Sequence, residues 1–258
     1  MKITAEIVKE LRDQTGVSVM QCKNALEEAE GDMEKALIIL KNKSSGIAMK
    51  KADRNAKDGL IVVKENTDKS LLLVLRTETD FVAKNSDFVN LANKLADIAI
   101  KEGIETMKSK SLEMINEVVQ KVGEKIELGQ VSEVSGSVLG SYVHMGKSAV
   151  IVSLTSGTKE LARDIAMHIA AMKPAFTTSD DITDADKKKV IEVFQKEVDE
   201  SDKGDEIKKK MLEGKISTYF KEQTLMDQTF IKNSEITVGT LLKNNNAKIA
   251  SFIYESIN

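Results

Sequence analysis

One order of elements, two short apolar strands followed by an amphipathic helix, is written twice into this chain, and it limits the fold more than any other feature. The first copy opens after Gly59, where Leu60-Ile61-Val62-Val63 and Leu71-Leu72-Leu73-Val74-Leu75 flank Asn66-Thr67-Asp68-Lys69. Turn residues between two β-branched and apolar runs predict a β-hairpin. After Thr77-Glu78-Thr79-Asp80-Phe81-Val82-Ala83-Lys84-Asn85 comes a helix pattern with Phe88, Leu91, Ala92, Leu95, Ile98 and Ala99 on one face. The second copy runs Val138-Leu139-Gly140-Ser141-Tyr142-Val143, a turn at Met145-Gly146-Lys147, the strand Ala149 to Leu154, then a helix with Leu161, Ile165, His168, Ile169 and Met172 on one face. Two α+β halves with antiparallel sheets, related as an internal repeat of topology, are the expectation.

The flanking stretches are helical in period. Ile7, Val8 and Leu11 form an apolar stripe that ends at Gly16, and Ser18-Val19-Met20-Gln21 has the Ser-x-x-Gln form of a capping box. A second helix reaches about Ala29, and Gly31-Asp32 introduces a third with Met33, Ala36, Leu37 and Leu40 at helical spacing. Residues 41 to 58 carry Lys41, Lys43, Lys50, Lys51, Arg54 and Lys57, and read either as a solvated linker or as a basic strip for an acidic partner or RNA. Residues 111 to 127 look helical through Leu112, Ile115, Val118, Val119 and Val122. Two charged stripes joined at Ser201-Asp202-Lys203-Gly204 predict an antiparallel helical hairpin over 180 to 222, and the tail from Val238 to Ile253 reads as one more amphipathic helix. The layout is therefore a three-helix domain and basic linker (1–54), a first core half (55–137), a second core half (138–179 and 223–237), the hairpin (180–222) and a C-terminal helical module (238–258).

Composition removes most chemistry. Net charge is -3 with 31% charged residues, so the broad cationic field that non-specific DNA binding requires is missing. Cys22 is the only cysteine, which leaves no internal disulfide and no zinc ligand set, and fits a reducing compartment. The charged first residues and the lack of any run of about 18 apolar residues predict neither a signal peptide nor a membrane span, and so a cytoplasmic protein. Gly140 to Ser148 imitates a phosphate-binding loop but has one residue too many between its glycines, and a strand pattern follows where a helix is needed. The two histidines, His144 and His168, belong to no nucleophile or metal motif. His168 on an apolar helix face reads as a buried hydrogen-bonded residue, and His144 at a strand end as a surface residue. A binding protein, not an enzyme, is the expectation, with no cofactor and no metal.

The run Thr79-Asp80-Phe81-Val82-Ala83-Lys84-Asn85 resembles the signature loop of the elongation factor Ts family. Val8-Lys9-Glu10-Leu11-Arg12 with Thr15-Gly16, Met20, Cys22-Lys23 and Ala25-Leu26 is similar to that family's small helical domain, of ubiquitin-associated type. Gly140-Ser141-Tyr142, His144, Ile165 to Ala171 and Lys173-Pro174 resemble its second core half, and Thr237-Val238-Gly239 with Leu241-Leu242 its C-terminal module. Arg76-Thr77 and Lys121 depart from the usual family pattern.

The resemblance implies a guanine nucleotide exchange factor acting on the GTPase elongation factor Tu, bound both with GDP and without nucleotide. It implies that Thr79, Asp80, Phe81 and Val82 intrude near the partner's Mg²⁺ and phosphates, and that Arg12, Met20, Val122, Gly123 and His144 make further contacts. From the residues alone Phe81 has two readings: a wedge presented to a partner, or an anchor of the loop in its own core. A ribosome-associated RNA-contacting factor is the alternative function. No direct nucleic-acid or membrane contact is expected, and a homodimer through the 180 to 222 hairpin stays open.

Overall fold

The computed structural model describes residues 3–257 and has the expected α+β class. Helix α1 (Ala5–Thr15) buries Val8 and Leu11, and α2 (Val19–Glu28) buries Cys22, Ala25 and Leu26. The capping box before α2 forms only by half. Ser18 Oγ accepts from Gln21 N at 3.4 Å, while the Gln21 side chain instead accepts from Gln120 Nε2 at 3.2 Å. Helix α3 (Met33–Met49), capped by Asp32 on Lys35 N at 3.0 Å, continues well past the expected end of the helical domain.

That continuation corrects the linker-or-strip reading for 41 to 49, while 50 to 57 are turns and irregular chain. Residues 41 to 49 are the last turns of α3 and lie on a later helix, α6 (Ile104–Val122), with Lys41 paired to Glu113 at 2.5 Å and Asn116 Nδ2 donating to Ser45 Oγ at 3.2 Å. Ser44 is buried there. In sequence Ser44 looks like a loop residue, but its short side chain fits the buried position and its Oγ donates to Lys41 O at 2.7 Å.

Strands β1 (Asp58–Glu65) and β2 (Lys69–Thr77) form the predicted hairpin, in register from Asp58↔Thr77 to Glu65↔Ser70. Asn66 closes its turn by accepting from Lys69 N at 2.9 Å. A one-turn helix α4 (Asp80–Ala83), α5 (Ser86–Glu102) and α6 (Ile104–Val122) follow. Strand β3 (Ile126–Ser135) completes a sheet of order β1-β2-β3. Alternate residues Leu71, Leu73 and Leu75 of β2 meet Phe88, Leu91 and Leu95 of α5 and Met107, Ile115 and Val119 of α6 in one buried cluster.

The second half repeats this order. Strands β4 (Val138–His144) and β5 (Ser148–Leu154) precede α7 (Lys159–Met172), and Val150, Val152 and Leu154 pack with Leu161, Ile165 and Ile169. Gly140 must be glycine, because a Cβ there would lie 2.3 Å from Arg163 N and 2.5 Å from Ala162 C on α7. The chain then passes through the helical hairpin α8 (Asp184–Asp199) and α9 (Asp205–Gln223), whose helices are clamped by Phe194 edge-on to Tyr219 at 5.9 Å and by Lys215–Glu197 at 2.6 Å. Strands β6 (Thr229–Phe230) and β7 (Asn233–Thr237) form a small ribbon.

The tail departs from the expected C-terminal helix. Helix α10 (Val238–Asn244) lasts two turns and β8 (Ile249–Ser256) completes a sheet of order β4-β5-β8. Asn246 takes a left-handed φ of 49°, a conformation Asn tolerates and a helix cannot contain, and the β-branched and aromatic run after it suits a strand. Both halves thus place their second strand centrally and add a third strand late. By contacts the chain forms two compact units. One holds residues up to Glu133, Val143–Ala149 and the chain from Glu255, and the other holds Val134–Tyr142 and Val150–Tyr254. Among the described residues no helix is long and apolar enough to cross a membrane.

Phe88 has no solvent exposure, so Phe88→Ala should lower unfolding free energy by about 3–5 kcal/mol through lost transfer and a residual cavity, read from urea denaturation.

Candidate functional site

The signature run sits where β2 ends and α5 has yet to begin. Thr79 is the N-cap of α4, its Oγ1 accepting from Val82 N at 3.4 Å, and Asn85 caps α5 on Asp87 N at 2.8 Å. A single turn of helix held between two caps fixes the direction of every side chain on it. Val82 and Ala83 turn inward and are buried in the first core cluster. Phe81 turns outward and is 82% exposed, so the reading in which it anchors the loop in its own core fails. Asp80, half-buried beside it, pairs with Lys84 at 2.7 Å one turn on.

Two glutamates fasten this loop to the α6–β3 junction. Glu124, just past the α6 C-cap Gly123, accepts from Thr77 Oγ1 at 3.0 Å, from Thr79 N at 3.0 Å and from Thr79 Oγ1 at 2.7 Å. In the other direction Glu78 accepts from Lys125 N at 2.6 Å and from the Arg54 guanidinium at 3.2 Å. The Lys125 amide foremost, with Arg54 assisting, holds the Glu78 carboxyl below its ordinary value of 4.5. Lys51 Nζ donates to Gly123 O at 2.6 Å, so the two cations Lys51 and Arg54 brace both sides of the same junction. The structure therefore brings Thr79, Asp80, Phe81 and Val82 together with Val122 and Gly123. Nothing in the sequence spacing marked Glu78 or Glu124, whose partners in the opposite loop lie 45 to 47 positions away.

The remaining candidates lie on other elements. Arg12 and Met20 are exposed, Met20 by 65%, and Arg12 lines a shallow groove of about 350 Å³ between α1 and α2 with Val8, Lys9, Val19 and Lys23. The Gln21–Gln120 hydrogen bond ties α2 to α6, the helix that ends at Gly123. His144 is exposed at the end of β4, beside a turn whose Gly146 O accepts from Ile61 N at 2.7 Å. The apparent phosphate loop Gly140 to Ser148 is strand, turn and strand, with no helix start to receive an anion. His168 is buried, as its apolar face predicts. Its Nδ1 accepts from Ile231 N at 3.2 Å and Nε2 pairs with Gln228 Oε1 at 2.9 Å, and burial pushes its pKa down from 6.5. Among the described residues no group of three or more His, Cys, Asp or Glu is placed to hold a metal ion.

The sequence model described as Elongation factor TS matches residues 78–257. Elongation factor Ts of Hahella chejuensis is 40% identical over 258 residues, covering 97% of this chain and 90% of that protein. The chain belongs to the elongation factor Ts family. Its relative from Marinobacter nauticus is 41% identical over 259 residues, with 97% and 89% covered, and that from Legionella pneumophila 37% over 264 residues, with 97% and 90% covered. The family match takes in the signature loop, both glutamates and His144. Arg12 and Met20 lie outside it and inside the stretch shared with these relatives.

Removing the Glu124 carboxylate frees three donors around the loop, so Glu124→Ala should lower unfolding free energy by about 1.5–3 kcal/mol and raise amide exchange at Thr79 and Val82. For Glu78 the folded pKa is depressed. Its contribution is therefore complete above 4.5 and is lost as pH falls through the lower folded value, and Glu78→Gln should flatten that part of the stability profile in thermal melts from pH 6 down to about pH 3.

Proposed function

We propose that the chain is a guanine nucleotide exchange factor for elongation factor Tu, which it binds in both the GDP-bound and nucleotide-free states to promote GDP release in the cytoplasm during translation elongation. Family membership makes it a translation elongation factor of the Ts type. The observation that carries the finer reading is the exposed Phe81 on a clamped helical turn. An aromatic ring left in water by a rigid scaffold is a large apolar group whose favourable environment lies on another molecule. The adjacent Asp80 carboxylate can compete electrostatically near a Mg²⁺–phosphate cluster, and Mg²⁺ tolerates little distortion of its octahedron. Wedge and carboxylate together would loosen Mg²⁺ and then GDP.

Exchange of this kind changes barriers and forms no covalent bond with the nucleotide, so no catalytic residue is assigned. Thr79 and Val82 hold the wedge in place, and Val122 and Gly123 extend the same surface. Arg12, Met20 and His144 supply contacts from the helical domain and the β4–β5 turn. Of the six cations in 41 to 57 on which an RNA-contacting reading would rest, Lys41, Lys43, Lys51 and Arg54 are engaged by Glu113, Glu28, Gly123 O and Glu78. That supports a protein partner over RNA.

The test uses elongation factor Tu loaded with fluorescent GDP. The wild-type protein should speed GDP release, and Phe81→Ala should slow the stimulated rate about tenfold, the loss of roughly 1.4 kcal/mol of barrier lowering. Its melting temperature should stay near that of the wild type, because the ring touches little of its own chain. No acceleration by the wild type, or a variant with a lowered melting temperature and normal exchange, overturns the reading.

A further inference from the structure

Met145 stands at the tip of the β4–β5 hairpin in a conformation that suits it poorly. The turn runs His144-Met145-Gly146-Lys147 and is closed by Lys147 N donating to His144 O at 2.9 Å. Its two central residues have φ of 50° and 69°, the pattern of a type I′ turn, for which Asn-Gly or Gly-Gly is the favoured pair. Gly146 meets the demand, and its missing Cβ also spares a clash at 2.5 Å with Leu60 Cδ1. Met145 does not meet it. An unbranched apolar side chain at positive φ is uncommon, and such strain concentrates where a side chain has work besides folding.

The side chain gains nothing inside the molecule for this strain. Met145 is 85% exposed, the most exposed of the large apolar side chains among the described residues, and Phe81 at 82% comes next. The two belong to the same compact unit. Lys147 Nζ is paired with the Asp58 carboxylate and donates to Gly59 O at 2.9 Å, and Ile257 N donates to Lys147 O at 2.8 Å, so the hairpin tip is fastened to the start of β1. Asp58 is the register partner of Thr77, from which the chain proceeds to Asp80 and Phe81, and Lys84 at the end of α4 adds its charge to the field at Asp58. Two exposed apolar tips thus stand on supports that are both fastened near the start of β1.

We propose that Met145 is a second apolar anchor for the GTPase partner, continuous with the Asp80–Phe81 contact. The inference rests on the exchange-factor reading and adds a residue to it. The thioether is unbranched and conforms to irregular apolar pockets, which makes it apt for a contact that must form on more than one nucleotide state of a partner.

The opposing demands of turn and contact supply the test. Met145→Asn gives the turn its preferred residue and removes the apolar side chain. It should melt at or above the wild-type temperature and yet bind nucleotide-free elongation factor Tu about five- to tenfold more weakly by titration calorimetry, a loss of roughly 1–1.4 kcal/mol. Met145→Leu keeps the apolar volume in the same unfavoured turn and should bind within about twofold of wild type. Met145→Asn binding as tightly as wild type, while Phe81→Ala binds weakly, overturns the assignment of Met145 and leaves the exchange-factor reading standing. Equal losses in the Asn and Leu variants overturn it too, because apolar volume is then not what the site uses. A wild-type protein that does not bind elongation factor Tu removes both readings.

Discussion

The crossing of Glu78 and Glu124 between two loops is the interaction on which the candidate site depends. Each carboxylate leaves its own loop and satisfies donors on the other, so that the end of β2, the N-cap of α4 and the start of β3 are held as one piece. Hydrogen bonds to an ionised acceptor are roughly twice as strong as neutral ones, and here they replace the packing that a loop at a sheet end lacks. Thr79 has a double duty in this arrangement, donating to Glu124 while accepting from Val82 N. The consequence is a helical turn short enough to stand at the surface and constrained enough to point Phe81 away from the core.

Rigid support with an exposed apolar tip recurs in the β4–β5 turn. In both places the local choice conflicts with folding alone: a phenyl ring stays in water at Phe81, and Met145 holds a left-handed φ. Conflicts between local preference and the folded state are uncommon in natural sequences and gather at sites selected for function. The core side chains of the first unit behave otherwise. Leu71, Leu73, Leu75, Phe88 and Leu95 agree with their period, their element and their burial at once.

Much of the fold is legible in the sequence because apolar period reports directly on burial. The β1–β2 hairpin, α5, α7 and the α8–α9 pair follow from spacing and punctuation in stretches where each element packs on its neighbours in the chain. Strand β3 is hidden, since polar Gln130 and Ser132 interrupt the phase set by Ile126 and Leu128 before Val134 resumes it, and Val131 falls out of that phase. The tail reads as a helix because Val238, Leu241 and Leu242 do begin one, and only the left-handed Asn246 and the run from Ile249 turn it into a strand. Strands β3 and β8 are the late third members of their sheets, and a strand's pairing across so much intervening chain leaves little trace in its own residues.

By itself the sequence determined which residues are apolar, where helices and hairpins start and stop, and the motif Thr79 to Asn85 that marks the family. Tertiary structure alone decided that Phe81 faces water while Val82 and Ala83 face the core, that Glu78 and Glu124 are partners of loops some 45 positions away, and that Ser44 lies buried in a stretch that reads as linker. The reason is physical. Period and propensity are properties of neighbours along the chain, whereas the direction of a side chain on a single turn, and the partner of a carboxylate, depend on which distant backbone amides and hydroxyls folding brings within about 3 Å.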